Sequence, residues 1–228
     1  MKPTITVAET TAPDGSTFRL VTHDGQFILY MDDREVMSTM RTHSELLLAD
    51  IGCDFKKKRK KPRVLIGGLG LGYSLRRALE LTGPGSQIVV AELLPQVIEW
   101  NKTSLNGLND DIMADPRTHI ALADVYDLIY KAATKGPKFD AILLDVDDGP
   151  SALIQPQNAQ LYARNGLEEL KDALTPGGRA AIWAAKIEPK LKKALGKAGF
   201  YTEEIPCAKH AKAKRLQHAI YLAARRDS

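Results

Sequence analysis

Three apolar runs in this chain each end in an acid. "IVVAE" closes on Glu92, "IALAD" on Asp124 and "AILLD" on Asp145. A fourth run, "RVLIGGLGLG", ends instead in Gly67, Gly68, Gly70 and Gly72. Glycines after a strand let a ligand approach the backbone closely. An acid at the end of the next strand binds ribose hydroxyls through its two acceptor oxygens. Asp124 suits the amino group of an adenine. Nicotinamide dinucleotide enzymes share the glycines and the ribose acid, but they place a pyrophosphate at the following helix. Three acids around one pocket repel a pyrophosphate and attract a sulfonium or an amine. The residues therefore favour a sulfonium nucleoside over NAD. Taken singly, Glu92 and Asp124 each also suit a helix N-cap.

Placing these residues together requires alternating strands and helices. Strands are predicted at 63–67, 87–92, 119–123, 140–145, 179–184, 201–206 and 218–224. Helices are predicted near 71–82, 95–106, 125–134, 159–174 and 188–198. Such alternation implies a parallel sheet covered on both faces, with ligands beyond the carboxyl ends of the strands. No helix separates the last two strands, so they pair antiparallel at one edge. The expected class is α/β. It is a Rossmann-like, class I AdoMet-dependent methyltransferase fold with seven strands and an antiparallel last strand. Ahead of it, "TITVAE", "TFRLVT" and "QFILYM" read as a small antiparallel meander with turns at "APDGS", "HDGQ" and "MDDR". The expected division is a meander over 1–40 and a nucleoside-binding transferase domain over 41–228. "RTHSELLLADIG" reads as a helix joining the two.

The 228 residues carry a formal charge of +4 and 44% apolar residues, ordinary for a globular protein. No apolar run reaches membrane-spanning length, and the first residues lack a signal-peptide core. Cys53 and Cys207 do not make a disulfide framework, which points to a reducing cytoplasm. Basic residues gather in "FKKKRKKPR" and "KHAKAKR". Neither run interleaves aromatic residues for base stacking, so nucleic acid is not the expected partner. No His, Cys and carboxylate cluster has metal-ligand spacing, so no metal is expected.

At this point the sequence resembles the spermidine synthase family, and more closely its short bacterial spermidine synthase-like members. The resemblance covers about residues 25 to 225. "QFILYMDDREVMS" looks like the family's strand-turn-strand entry, and "VLIGGLGLG" takes the place of its glycine loop. "VVAELLPQVIEW" is similar to its ribose-binding strand and helix, and "ALADVYDLI" to the segment with its adenine-side acid. "FDAILLDVDDGP" resembles the segment carrying the catalytic aspartate, and "LYARNGLEELKDALTPGG" the helix and turn after it.

The resemblance implies cofactor contacts from Gly67, Gly68, Gly70, Gly72, Glu92, Leu93, Asp124, Val125 and Asp145. It implies catalytic roles for Asp145, which helps deprotonate the attacking amine, and for Asp148. Asp147, Asp148 and His43 would meet the substrate. Two departures stand out. Aminopropyltransferases usually carry an Asp in the glycine loop to hold the amine of decarboxylated AdoMet, and here that position is Gly70. The Tyr and the Gln or His expected before Glu45 are His43 and Ser44.

Because the loop acid is absent, the favoured expectation is methyl transfer from S-adenosyl-L-methionine to an amine or another small nucleophile. The alternative is aminopropyl transfer from decarboxylated AdoMet to a diamine. A non-catalytic nucleoside-binding protein is the rival from another class. The expected partner is a small-molecule amine, and a homodimer is compatible with the sequence.

Overall fold

The computed structural model describes residues 3–12, 15–55, 59–146, 149–151, 153, 158–208 and 216–226. Asp147, Asp148, and the basic stretches 56–58 and 209–215 lie outside the described residues.

Four strands open the chain: β1 (Ile5–Thr11), β2 (Thr17–His23), β3 (Gln26–Met31) and β4 (Arg34–Ser38). They form an antiparallel sheet in chain order. Asp24 and Gly25 join β2 to β3 with φ of 50° and 75°. Two left-handed residues in a two-residue loop match the right-handed twist of the strands they connect. The strand-turn-strand expected in "QFILYMDDREVMS" is β3 and β4. Their ladder is irregular: Leu29 faces Met37, whereas Tyr30 faces Glu35. Val36 is thus an extra residue, a β-bulge.

Helix α1 (His43–Cys53) leads to the main sheet. Along the chain follow β5 (Arg63–Gly67), α2 (Tyr73–Leu81), β6 (Gln87–Glu92), α3 (Pro95–Thr103), α4 (Asp110–Ala114), β7 (Thr118–Leu122), α5 (Val125–Thr134) and β8 (Phe139–Leu144). Then come α6 (Ala159–Tyr162), α7 (Arg164–Ala173), β9 (Leu174–Ala184), α8 (Pro189–Lys197), β10 (Tyr201–Ala208) and β11 (Leu216–Ala224). The seven strands lie in the order β10-β11-β9-β8-β5-β6-β7. All pairs from β9 to β7 are parallel. β11 runs antiparallel between β9 and β10. The expected fold class is therefore found, with β11 one place in from the edge.

Two apolar layers hold the sheet. One joins α1, α2 and α3 to Leu20, Phe27 and Leu29 of the N-terminal sheet. The other packs α5, α7 and α8 on the opposite face. β8 lies between them, and all six of its residues are buried. This explains the unbroken run "FDAILL", since a strand covered on both faces has no reason to alternate.

Two sequence expectations shift. The helix expected over 159–174 is two helices, because the chain breaks at Ala163, whose ψ of 160° is extended. The short α4 was not expected; five residues carry too little periodicity to stand out. Both cysteines are buried and free. Burial pushes the Cys53 thiol up to about 12 and that of Cys207 to about 11, so neither carries much thiolate near neutrality.

One consequence for stability follows from α8. Gly196 lies near its end, and an added Cβ there would meet nothing within 4 Å. Gly196→Ala should stabilise the chain by about 0.5–1 kcal/mol by reducing the freedom of the unfolded backbone. Denaturant unfolding would measure it, and a loss of stability would contradict the helical placement.

Candidate active site

β5 and β8 are neighbours at the point where strand order reverses, the place where open α/β sheets bind ligands. The chain turns there through Gly68 and Gly70, with φ of 89° and 52°. At Gly68 a Cβ would stand 2.9 Å from the backbone oxygen of Asp145, so that position leaves no room for a side chain. At Gly70 a Cβ would run into the thioether of Met37.

The turn is held from outside by two buried amides. Asn101 Nδ2 donates to the Gly70 carbonyl at 2.8 Å, and Asn109 Nδ2 to that of Leu71 at 3.0 Å. Asn109 also donates to Asn101 Oδ1 at 2.6 Å. Neither residue stands out in the sequence. Their signal would have been a polar residue on the buried face of α3 for Asn101 and one at the N-cap position of α4 for Asn109.

Glu92 ties two loops together. Its Oε2 accepts from the Leu69 N–H and its Oε1 from the Leu94 N–H, both at 2.9 Å. Burial raises its pKa above the usual carboxylate range, and backbone N–H groups of Leu94, Leu69, Leu93 and Gly70 oppose the rise. Each oxygen keeps acceptor capacity for a further hydroxyl. Asp124 caps α5, accepting from the Tyr126 N–H through Oδ1 at 2.8 Å. The N-cap role and a ligand role are thus compatible, because the second oxygen is not used by the cap. Asp145 is half-buried just past β8, and its backbone N–H donates to the Gly67 carbonyl at 3.2 Å.

These residues line one cavity of about 190 Å³. Gly68, Gly70, Glu92, Leu93, Asp124, Val125 and Asp145 face it; Gly67, Gly72 and His43 do not. Gly67 is buried beneath Val125 and Leu144, and Gly72 precedes α2 against Asn109. His43 is half-buried as the first residue of α1, while its neighbours Ser44 and Glu45 reach the cavity. Sequence reading did not select Glu45, Asn158 or Trp183, all of which line it. The indole N–H of Trp183 is buried and has no acceptor among the described residues. Its ring packs on His218 with centroids 5.2 Å apart. Phe18, Leu29, Met31, Val36 and Met37 of the N-terminal sheet close the other side. The bulge at Val36 lets two consecutive side chains reach the same space.

Acids elsewhere do a different job. Asp140, at the other end of β8, accepts from the Arg63 N–H and Thr175 Oγ and pairs with Arg59 at 2.7 Å. Around the cavity the lining holds four carboxylates, those of Glu45, Glu92, Asp124 and Asp145, and no Lys, Arg or His among the described residues. Among the described residues no group of His, Cys, Asp or Glu is arranged to hold a metal ion, and no helix is long and apolar enough to cross a membrane.

A polyamine aminopropyltransferase of Mycobacterium tuberculosis is 32% identical over 121 residues, which are 53% of this chain and 22% of that protein. One from Pyrobaculum islandicum is 30% identical over 115 residues, 50% of this chain and 38% of its own length. The chain resembles the spermidine synthase family. The matched stretch thus spans well under half the length of these relatives. No family model matches the chain. Among solved structures, spermidine synthase from Thermotoga maritima superposes with a TM-score of 0.75 at 18% identity, over 98% of this chain and 74% of that one. A spermidine synthase in complex with the transition-state analogue AdoDATO gives a TM-score of 0.73 at 17% identity, over 98% and 73%. At such identities the spermidine synthase structures establish the fold. Both sequence relatives are named for aminopropyl transfer, the second of the two reactions expected from the sequence, and neither for methyl transfer.

Proposed function

We propose that this protein transfers an aminopropyl group from decarboxylated AdoMet to an amine. The observation that carries the reading is the charge of the cavity: four carboxylates, and no cation among the described lining residues. AdoMet itself brings a carboxylate, which would meet only like charges on these side chains. Its decarboxylated form brings a sulfonium and an ammonium and no anion. The named relatives point the same way.

In this reading Glu92 accepts from the ribose hydroxyls and Asp124 meets the adenine side. Gly68 and Gly70 allow close approach. The sulfonium supplies a leaving group that departs as a neutral thioether when the acceptor nitrogen takes the alkyl carbon. An alkylamine with a pKa of about 10.4 is almost wholly protonated at neutral pH. Asp145 accepts its proton, and the surrounding acids offset positive charge. The N-terminal sheet excludes water from the apolar side. Asp147 and Asp148 are proposed to hold the acceptor on the strength of their place in the chain.

The test is product identity. Incubated with either donor and a panel of diamines, the protein should release methylthioadenosine from decarboxylated AdoMet. S-adenosylhomocysteine from AdoMet would instead establish methyl transfer, and nucleoside binding without either product a binding protein. Within this reading, Glu92→Ala should weaken nucleoside binding by about 1–3 kcal/mol, the range for hydrogen bonds to charged groups. Unchanged affinity by calorimetry in a folded variant would remove Glu92 from the ribose site.

A further inference from the structure

Glu45 has no task in the reading above. It is the third residue of α1 and only 6% exposed, yet it lines the cavity. Ser44 Oγ donates to its Oε2 at 2.7 Å. The groups that face it electrostatically are His43 on its own helix, Tyr73 of α2 and Cys207 of β10. No Lys or Arg among the described residues pairs with it. Burial raises its pKa above the usual carboxylate range, and the Ser44 hydroxyl and its own backbone N–H oppose that only partly. A carboxylate taken out of water without a cation is costly, and such groups are normally paired.

Its place in the fold is distinct from that of the other acids. Glu92 and Asp124 follow β6 and β7, on one side of β5. Helix α1 packs instead over β8, β9, β10 and β11, on the other side, and against α2. Ser74 Oγ of α2 reaches the Glu45 carbonyl at 3.5 Å, which sets Glu45 beside the end of the glycine turn. The turn cannot supply an acid of its own there, since Met37 fills the space next to Gly70. The rest of that wall is apolar: Phe18, Leu29, Met31 and Val36.

We infer that Glu45 is the binding partner of the ammonium group at the end of the transferred chain, and so selects a donor that carries an amine and no carboxylate. This rests on reading the cavity as an aminopropyl-transfer site. The nucleoside lies toward Glu92 and Asp124, the sulfonium at the crossover of β5 and β8, and the aminopropyl chain extends toward α1.

Two ligands separate this from a structural role. Decarboxylated AdoMet carries the ammonium; methylthioadenosine has the same nucleoside without it. By calorimetry, Glu45→Gln should weaken binding of the first about 10–100-fold, the span for a charged hydrogen bond. Binding of the second should stay within about twofold. Equal losses for both ligands, or no loss for either, would overturn the inference. If Glu45→Gln does not fold, Glu45→Asp carries the test. It keeps the charge but withdraws it by one methylene, and should weaken the donor alone by several-fold; equal losses would again overturn it. The two readings fail differently. A wild type that makes methylthioadenosine while Glu45→Gln shows no selective loss leaves the activity standing and removes Glu45. A wild type that binds the nucleoside but releases no methylthioadenosine from the decarboxylated donor overturns the activity, and the inference with it.

Discussion

Asp145→Asn is expected to lower kcat for aminopropyl transfer by about 10²–10⁴-fold, the usual contribution of a positioned acid–base group. The reason lies in where the strand delivers the residue. β8 is buried over its whole length, and Asp145 is the first residue past it to face the cavity. Its backbone N–H is fixed to the Gly67 carbonyl, so the side chain leaves the chain from a rigid point. Asparagine keeps the shape and can still accept a hydrogen bond, but it cannot take a proton from an ammonium. Nucleoside affinity should change little, because the proposed function gives those contacts to Glu92 and Asp124. The decisive comparison is kcat against donor affinity in the same folded variant. A kcat within a few-fold of wild type would mean that another carboxylate accepts the proton. A tenfold loss of affinity at constant kcat would move Asp145 to the donor site.

The second large effect is expected at Gly68. Its φ of 89° suits glycine, and an added Cβ would press on the Asp145 carbonyl, a backbone atom that cannot swing aside. Left-handed backbone costs a non-glycine residue about 1–2 kcal/mol, and overpacking adds about 1–3 kcal/mol. Gly68→Ala should therefore destabilise the chain by about 2–5 kcal/mol, which lowers Tm by roughly 4–20 °C in a chain of this length. Donor affinity should fall as well, since the widening between β5 and β8 falls at the proposed donor site. Thermal unfolding with and without methylthioadenosine checks both. An unchanged Tm together with unchanged binding would show that the turn relaxes freely. Gly70→Ala serves as the contrast: there the obstacle is the end of a flexible methionine side chain, and the loss should be smaller.

Part of the cavity lining was readable because its acids lie at the carboxyl ends of strands: Glu92 closes β6, and Asp124 and Asp145 follow β7 and β8. Apolar runs such as "IVVAE" mark the strand, and its carboxyl end is the edge of the sheet where open α/β folds bind ligands. The same logic found Asp145 and the order of elements. Glu45 escaped it because it lies inside a helix, where an acid in the first turn reads as a favourable dipole contact and its burial depends on distant strands. Trp183 escaped because it sits in a strand of small residues, "RAAIWAA", and looks like core. His43 shows the converse: a titratable residue next to the site in sequence whose helix position turns it away from the cavity. The Met37 contact with Gly70 joins residues 33 positions apart across two sheets, and no local pattern encodes it.

The extra residue at Val36 has a consequence for how such a site can change. A strand with regular pairing would send Val36 and Met37 to opposite faces. The bulge therefore ties the shape of the apolar wall beside Glu45 to a single insertion or deletion, an event that leaves Glu92 and Asp124 untouched. Losing Val36 would restore an even ladder, keep Met37 opposite Leu29, and withdraw one apolar side chain from the cavity wall. Length differences in this short strand, more than substitutions in the glycine turn, are where divergence in the shape of that wall should be sought.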